Sequence, residues 1–225
     1  MKVYLDPTEF LDFEDSGIRS LADEAAGEGG SQREQVVRLY YLVRDRFRYD
    51  PYRIDLTRAG MKASTVVTRG YGFCITKAAL FAAGARALKV PSRLGFADVR
   101  NHLATARLLA LLGTNVFYYH GYAEVELDGR WVKATPAFNL SLCERFRVRP
   151  LEFDGKTDSI FHAYDADNCR HMEYLTDRGS RADLPFEEIR TALLTHYPGM
   201  QWIEGAHAQG DFAAEATAEA QGART

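Results

Sequence analysis

The chain has 225 residues, of which 46% are hydrophobic and 26% charged, and its formal net charge at pH 7 is −3. This length fits one substantial domain or at most two small ones, and the composition is that of an ordinary globular protein. The small negative charge gives no electrostatic reason to expect nucleic acid or anionic lipid as a partner, and no apolar run approaches the roughly 20 residues of a membrane span.

The cysteines and the other possible metal ligands do not form a recognisable site. Three widely spaced cysteines argue against a disulfide framework, and their spacing does not fit a structural zinc site. A second set of possible ligands consists of His162, Asp165, Asp167, His171 and Glu173. Its spacing fits no defined metal site, so we expect solvated loop residues and neither metal nor cofactor. Residues 1–15 lack the apolar segment of a secretory signal, and a cytoplasmic location is predicted.

Two helices are predicted before residue 50. The first lies near residues 16–26 and ends at the glycine-rich breaker 27–30. Ser31 is a predicted N-cap of the second helix, because Glu34 three residues later completes a capping box. The second helix must stop before Pro51, since the residue that precedes a proline resists the helical conformation.

The next stretch predicts a helix that begins at or beside a cysteine. Gly70 and Gly72 precede Cys74, and an alanine-rich helical pattern continues to about Leu88 before Pro91 ends it. With Gly72 as the N-cap, Cys74 lies in the first turn, where unpaired N–H groups and the helix dipole favour a thiolate. The sequence therefore predicts a reactive cysteine with a lowered pKa. The alternative is a buried cysteine that opens a core helix.

A strand over residues 92–99 and a short helix or apolar loop over 103–112 lead to the clearest hairpin in the chain. Its strands, 116–127 and 130–134, are rich in aromatic and β-branched residues. They are joined by the two-residue Asp-Gly turn at 128–129, which is of the kind that hairpins prefer.

His120 lies inside the first hairpin strand, where a polar ring is unexpected unless the position is exposed or functional. A nucleophilic cysteine needs a base to take its proton, and the pKa of histidine suits that role at neutral pH. We therefore pair Cys74 with His120; the alternative is a cross-strand surface histidine. Cys143 and Cys169 lack a helix-opening glycine context and are interpreted as structural or incidental.

The pattern weakens beyond the hairpin. We predict a helix over residues 140–146, a strand over 171–175 and a helix over 186–196. Residues 205–225 have one large apolar side chain, that of Phe212. They are predicted to form a disordered tail, and deletion of residues 206–225 is predicted to leave thermal stability nearly unchanged, because there is little apolar surface to offset the entropy of ordering the tail. The folded domain is expected to be residues 1–204.

Two blocks of sequence occur in order within roughly residues 33–140. One is Gly72-Phe73-Cys74, followed by the alanine-rich helix and the segment 89–93, Lys-Val-Pro-Ser-Arg. The other runs from His120 to Trp131 and has the form His-x-x-x-Glu, a turn, then Trp. Together they resemble the transglutaminase-like superfamily of papain-type cysteine enzymes. The resemblance implies an α+β fold in which the helix opened by the nucleophilic cysteine packs on an antiparallel sheet.

The family has a third catalytic residue, an aspartate in the string Trp-x-x-x-Asp-Pro. In this chain the string is 131–136, and Thr135 stands at the position of the aspartate. A threonine hydroxyl can bind the imidazole but supplies no negative charge. Asn139 is slightly favoured as the residue that orients the ring, in the manner of Cys-His-Asn sites, with Thr135 as the alternative. Asp154 and Asp158 are weaker candidates.

The resemblance implies acyl transfer from a peptide or amide substrate. The thiolate of Cys74 would attack the carbonyl, His120 would shuttle the proton, and N–H groups at the helix N-terminus would hold the oxyanion. Hydrolysis is favoured over cross-linking, because compact bacterial-type members resemble peptidases or amidases and no calcium-loop pattern is present. The alternative function is a catalytically weak or inactive binding module. The sequence makes no prediction of oligomeric state.

Overall fold

The computed structural model describes residues 2–102, 104–161, 172–199 and 210–222. The helices are α1 (Ser16–Ala26), α2 (Gln32–Arg46), α3 (Ala63–Arg69), α4 (Cys74–Ala87), α5 (Ala106–Leu112), α6 (Leu140–Phe146), α7 (Phe186–His196) and α8 (Phe212–Gly222). The strands are β1 (Arg48–Tyr49), β2 (Tyr71–Gly72), β3 (Ser92–Asn101), β4 (Val116–Leu127), β5 (Arg130–Ala134) and β6 (Met172–Arg181). A 3₁₀ turn at Lys2–Tyr4 precedes them.

The main sheet is antiparallel, with the strand order β5-β4-β3-β6. Strands β1 and β2 form a separate parallel pair beside it. The predicted hairpin of β4 and β5 is confirmed, and its turn residues Asp128 and Gly129 both have the positive φ angles, 51° and 76°, that a type I′ turn requires. The predicted capping box of Ser31 and Glu34 is also present. The predicted α+β fold class is confirmed.

Helix α4 lies at the centre of the core. Every residue from Cys74 to Arg86 is buried, because α1, α2 and α3 surround the helix on one side and the sheet covers the other. The helix begins at Cys74 itself, with Phe73 rather than the predicted Gly72 at the cap position. Gly121 allows the close approach to the sheet, since a Cβ there would lie 2.8 Å from the Cα of Ile75. The end of the helix that begins with Cys74 is therefore packed closely against β4.

A buried lysine ties α4 to two other segments. The side chain of Lys77 is fully buried, and its Nζ donates to the carbonyl oxygens of Arg44 at 2.9 Å, Phe47 at 2.7 Å and Ala137 at 2.8 Å. The first two carbonyls lie at the C-terminus of α2, where backbone acceptors have no partner within the helix. Lys77 therefore fixes the end of α2, and the loop that contains Ala137, against the helix of the cysteine.

The structure contradicts the predicted disorder over Phe212–Gly222, which forms helix α8. Phe212 is 4% exposed and its ring packs against the rings of Tyr49, Tyr52 and Phe146. The composition of this segment did not predict the helix, because one large side chain can hold a helix in place when it packs into an aromatic pocket of the folded domain. Residues 205–209 and 223–225 of the predicted tail lie outside the described part of the chain.

Polar contacts add to the docking of α8. The carboxylate of Glu215 accepts hydrogen bonds from the hydroxyls of Tyr52 and Thr105. Glu219 accepts from the backbone N–H of Ala106 at 2.8 Å, and so caps the N-terminus of α5. Helix α8 therefore holds together elements that are far apart in sequence.

We predict that Phe212→Ala lowers the free energy of unfolding by up to about 3 kcal/mol, because a buried phenylalanine is lost from an aromatic pocket. Urea and thermal denaturation would measure the effect. Ala218→Ser, at an exposed position of the same helix, is the matched control and should shift stability by only a few tenths of a kcal/mol. Equal midpoints for the two variants would mean that α8 does not dock as described.

Candidate active site

A cleft of about 450 Å³, measured together with its open mouth, lies where the N-terminus of α4 meets β4. Cys74 and His120 both line it, so the structure brings together the two residues paired from the sequence. The rest of the lining is apolar or aromatic and includes Leu108, Leu112, Phe117, Tyr118, Leu193 and Tyr197. Apart from His120, no lining residue in the described ranges is one that is normally charged at neutral pH. The cleft is therefore an apolar environment for the thiol.

The thiol of Cys74 lies at the first position of α4 and is 9% exposed. Burial raises its pKa to about 11, although hydrogen bonds from the backbone of Gly121, Ile75 and Cys74 itself act in the opposite direction. The prediction of a lowered pKa is therefore wrong. The helix N-terminus is present as predicted, but the loss of hydration in an apolar cleft outweighs it.

His120 follows an irregularity in strand β4. Tyr118 and Tyr119 lie opposite the single residue Asp98 of β3, which constitutes a β-bulge just before the histidine. Tyr119 has a φ of 54°, a left-handed conformation that costs an ordinary residue roughly 1–2 kcal/mol. The ring of His120 is 3% exposed and packs against Phe161, with ring centroids 5.5 Å apart. The bulge therefore sets the direction in which the strand presents His120.

Thr135 lies directly after β5. Extending the pairing of β4 and β5 by one residue sets Thr135 opposite Tyr122, which is two residues from His120 on the same face. The side chain is buried, and its hydroxyl has no hydrogen-bond partner among the residues that the structure describes. Thr135 therefore follows the strand that pairs with the strand of His120. Its catalytic role stays a prediction.

The amide of Asn139 makes its hydrogen bonds elsewhere. Its Oδ1 accepts from the backbone N–H of Tyr49 at 3.2 Å, and its Nδ2 donates to Ser141 at 2.7 Å. Asp154 and Asp158 likewise accept hydrogen bonds from backbone N–H groups of their own or neighbouring strands and turns. The orienting role of Asn139 stays a prediction, and these contacts weigh against it.

Helix α7 contributes a wall of the cleft that the sequence did not suggest. Tyr197 follows its last turn, and its hydroxyl accepts from the N–H of Tyr118 at 2.7 Å and donates to the carbonyl of Val116 at 3.2 Å. The ring of Tyr118 also stacks on His196, with centroids 3.7 Å apart. No local motif marks these residues, because the contact joins segments about 80 residues apart.

Arg93, Glu124 and Trp131 belong to the blocks that carry the family resemblance, and they form a cluster on the sheet. The guanidinium of Arg93 pairs with Glu124 at 2.6 Å and lies 4.2 Å from the centroid of the Trp131 ring. Ser180 of β6 donates a further hydrogen bond to Glu124 at 2.6 Å. None of these side chains lines the cleft, so we interpret their contacts as stabilising the sheet.

Cys169 and four of the five possible metal ligands, His162, Asp165, Asp167 and His171, lie outside the described residues. Within the described ranges, no group of three or more His, Cys, Asp or Glu side chains is arranged to hold a metal ion. The helices in the same ranges are all too short or too polar to cross a membrane.

We predict that iodoacetamide alkylates Cys74 before Cys143 in the folded protein. Burial raises the pKa of both thiols to about 11, but Cys74 lines an open cleft whereas Cys143 is 2% exposed and lies outside it. Since only the thiolate reacts, the rate at Cys74 should rise about tenfold per pH unit between pH 7 and 9. Peptide mapping by mass spectrometry gives the order. Earlier modification of Cys143 or Cys169 would refute the choice of nucleophile.

The chain is similar to two solved structures at low sequence identity. A candidate cysteine protease from Cytophaga hutchinsonii is 16% identical, with a TM-score of 0.45, over 79% of this chain and 53% of that one. A candidate protease from Parabacteroides distasonis is 17% identical, with a TM-score of 0.35, over 59% of this chain and 26% of that one. The chain thus spans about half the length of the first structure and about a quarter of the second. No curated protein matches the chain.

The family comparison covers the part of the chain that contains Cys74 and His120. The model described as the transglutaminase-like superfamily matches residues 19–136, a range that includes Cys74, His120 and Thr135. The match extends over more than half of the sequence, and the chain belongs to the transglutaminase-like superfamily.

Proposed function

We propose that this protein is a cysteine hydrolase that cleaves an amide or peptide bond by acyl transfer to water. The observation that carries the proposal is that Cys74, at the start of α4, and His120, in β4, line the same cleft. Membership of the superfamily supports a hydrolase or acyltransferase that uses a cysteine. The choice of an amide bond and of water as acceptor is the further step that we propose.

The raised pKa of the thiol determines how the first step proceeds. At neutral pH the Cys74 sulfur carries its proton, so His120 accepts this proton as the sulfur attacks the substrate carbonyl. A sulfur–carbon bond forms and negative charge develops on the carbonyl oxygen. The backbone N–H groups of Cys74, Ile75 and Gly121 surround the sulfur and are the donors available to that oxygen.

The reaction is completed in three further proton transfers, the last of which returns a proton from His120 to the sulfur of Cys74. The imidazolium of His120 protonates the nitrogen of the leaving group, the carbon–nitrogen bond breaks and an amine departs. Water then gives a proton to His120 as it attacks the thioester of Cys74. The sulfur–carbon bond breaks, the acid product leaves and the thiol recovers its proton.

The lining of the cleft supports an apolar acyl group in the substrate. Leu108, Leu112, Phe117 and Tyr118 offer apolar contacts, and the lining has no fixed charge to pair with a charged substrate group. Burying a carboxylate or an ammonium group there without a partner is costly. The preferred substrate therefore carries a bulky, uncharged side chain or acyl chain next to the scissile bond.

A non-catalytic binding module is the second candidate function. Two features favour it: Thr135 replaces the aspartate of the family, and burial raises the pKa of the Cys74 thiol. Such a protein would hold an apolar ligand in the same cleft without forming a covalent bond to it.

We expect p-nitrophenyl phenylacetate to release a burst of nitrophenolate equal to the enzyme concentration and to leave an acyl group on Cys74. Cys74→Ala should abolish the burst, and His120→Ala should slow it by roughly 10²-fold or more, since a general base is lost. Cys143→Ala is the matched thiol control and should leave the burst unchanged. The rate should rise from pH 7 to pH 9, because a protonated thiol becomes easier to ionise as the pH rises toward 11. The absence of any adduct would favour the binding module.

We also expect Thr135→Val to slow acylation more than Asn139→Ala does. The hydroxyl of Thr135 has no partner among the described residues and is proposed to bind the ring of His120 during the reaction. Valine removes it with little change of shape, whereas the amide of Asn139 is already engaged by Tyr49 and Ser141. Thr135→Asp should raise the rate by roughly tenfold, because a charge-assisted hydrogen bond is about twice as strong as a neutral one. Stopped-flow burst rates, compared with the melting temperature of each variant, give the answer. A larger loss in Asn139→Ala at unchanged stability would assign the orienting role to Asn139.

A further inference from the structure

A buried carboxylate holds the backbone just before His120. The Oδ1 of Asp98, on β3, accepts the backbone N–H of Tyr119 at 3.1 Å. Asp98 is the residue that faces the two-residue bulge of β4, and its side chain is 8% exposed. The ordinary sheet ladder is interrupted at a bulge, and the carboxylate supplies the acceptor that the N–H of Tyr119 needs.

Arg178 holds this carboxylate from the other side of β3. Its Nε donates to Oδ1 of Asp98 at 2.6 Å and its Nη2 donates to Oδ2 at 2.7 Å, which is the two-point geometry of a strong ion pair. The same guanidinium lies 4.3 Å from the centroid of the Tyr119 ring. Arg178 therefore contacts both the acceptor and the residue that it restrains.

The restraint acts on an unfavourable conformation. Tyr119 has a φ of 54°, a region that bulky residues rarely occupy, and it immediately precedes His120. A change of the backbone angles at Tyr119 would rotate the following residue and move the imidazole relative to the sulfur of Cys74. The hydrogen bond from Tyr119 to Asp98 opposes such a change, and the ion pair with Arg178 prevents the carboxylate from turning away.

We propose that Asp98 and Arg178 are positioning residues for His120, acting through the left-handed backbone of Tyr119. The inference rests on the proposed function, in which His120 transfers the proton of the Cys74 thiol. Two charged residues on strands other than that of the histidine thus set the geometry of the proton transfer, without contacting the substrate.

The same two strands contain a matched control. Arg100 of β3 and Glu173 of β6 form a cross-strand ion pair at 2.9 Å, two residues along β3 from Asp98. If the pair of Asp98 and Arg178 merely joined β3 to β6, its removal should resemble the removal of the Arg100 pair. If it positions His120, the two removals should differ in acylation rate.

The kinetic test compares Asp98→Ala, Asp98→Asn and Arg100→Ala in the burst assay, each well below its melting temperature. Asp98→Ala should lower the maximal acylation rate about 10- to 100-fold with little change in apparent KM, since a small misplacement of a catalytic group has an effect of this size. Asp98→Asn keeps an oxygen for the N–H of Tyr119 and should recover most of the rate, and Arg100→Ala should match the wild type. Equal rates for Asp98→Ala and Arg100→Ala, or no recovery in Asp98→Asn, would overturn the proposal.

A second measurement is independent of turnover. In protein labelled with ¹³C at histidine Cε1, the resonance of His120 is identified by its loss in His120→Gln. It should shift or broaden in Asp98→Ala and in Arg178→Met but not in Arg100→Ala. An unchanged His120 signal in the first two variants would overturn the proposal whether or not the wild type is active. Failure of the wild type to acylate Cys74 would refute the proposed function alone, since the spectra would still report on the positioning of His120.

Discussion

Lys77 lies about one helical turn after Cys74 in α4. Its Nζ donates hydrogen bonds to three backbone carbonyls, which belong to two other segments of the chain. These carbonyls are buried, so the loss of their donor would leave polar groups without hydration or partner. Burial lowers the pKa of Lys77 to about 7, which makes the neutral amine accessible near physiological pH. A neutral amine has two donors, so one of the three carbonyls would then lose its partner. Much of the arrangement around α4 thus depends on one ammonium group.

The contacts of Lys77 bear directly on the cleft. Phe47 is followed by β1, and Tyr49 of that strand lines the cleft, while Ala137 is followed by Phe138, whose ring packs on Tyr49. The lysine therefore fixes the helix of Cys74 and one aromatic wall of the cleft relative to each other. The opposite wall comes from α5, the start of β4 and the end of α7. The site is thus assembled by packing and backbone hydrogen bonds, with few fixed charges close to the thiol.

The scarcity of charged side chains in the described lining of the cleft affects both Cys74 and His120. With threonine in place of the family aspartate, an imidazolium at His120 would lack that stabilising carboxylate, and an apolar cleft disfavours the thiolate of Cys74. Both observations favour a resting site in which the Cys74 thiol keeps its proton. In the proposed mechanism, proton transfer therefore accompanies the attack of the sulfur, whereas a preformed ion pair would need a more polar site.

Local patterns in the sequence predicted much of the framework. The glycine-flanked start of α4, the capping box at Ser31 and the hairpin turn at 128–129 are each specified by neighbouring residues, and each is confirmed. Features that depend on distant residues were not predictable: the docking of α8, the burial that raises the pKa of Cys74, and the bulge at Tyr119. A bulge depends on the pairing of two strands, and the hydration of a thiol depends on everything packed around it. Neither can be predicted from a short stretch of sequence.

The docking of α8 also has a consequence for the order of events during synthesis. Glu215 binds the hydroxyl of Tyr52, a residue 163 positions earlier in the chain. At about 5–20 residues per second, the ribosome needs roughly 8–30 s to make the intervening segment. Throughout that interval Tyr52 and Tyr49 lack the helix that covers them, and the aromatic wall of the cleft is exposed to other molecules. Cys74 and His120 are therefore made long before the wall beside them is complete.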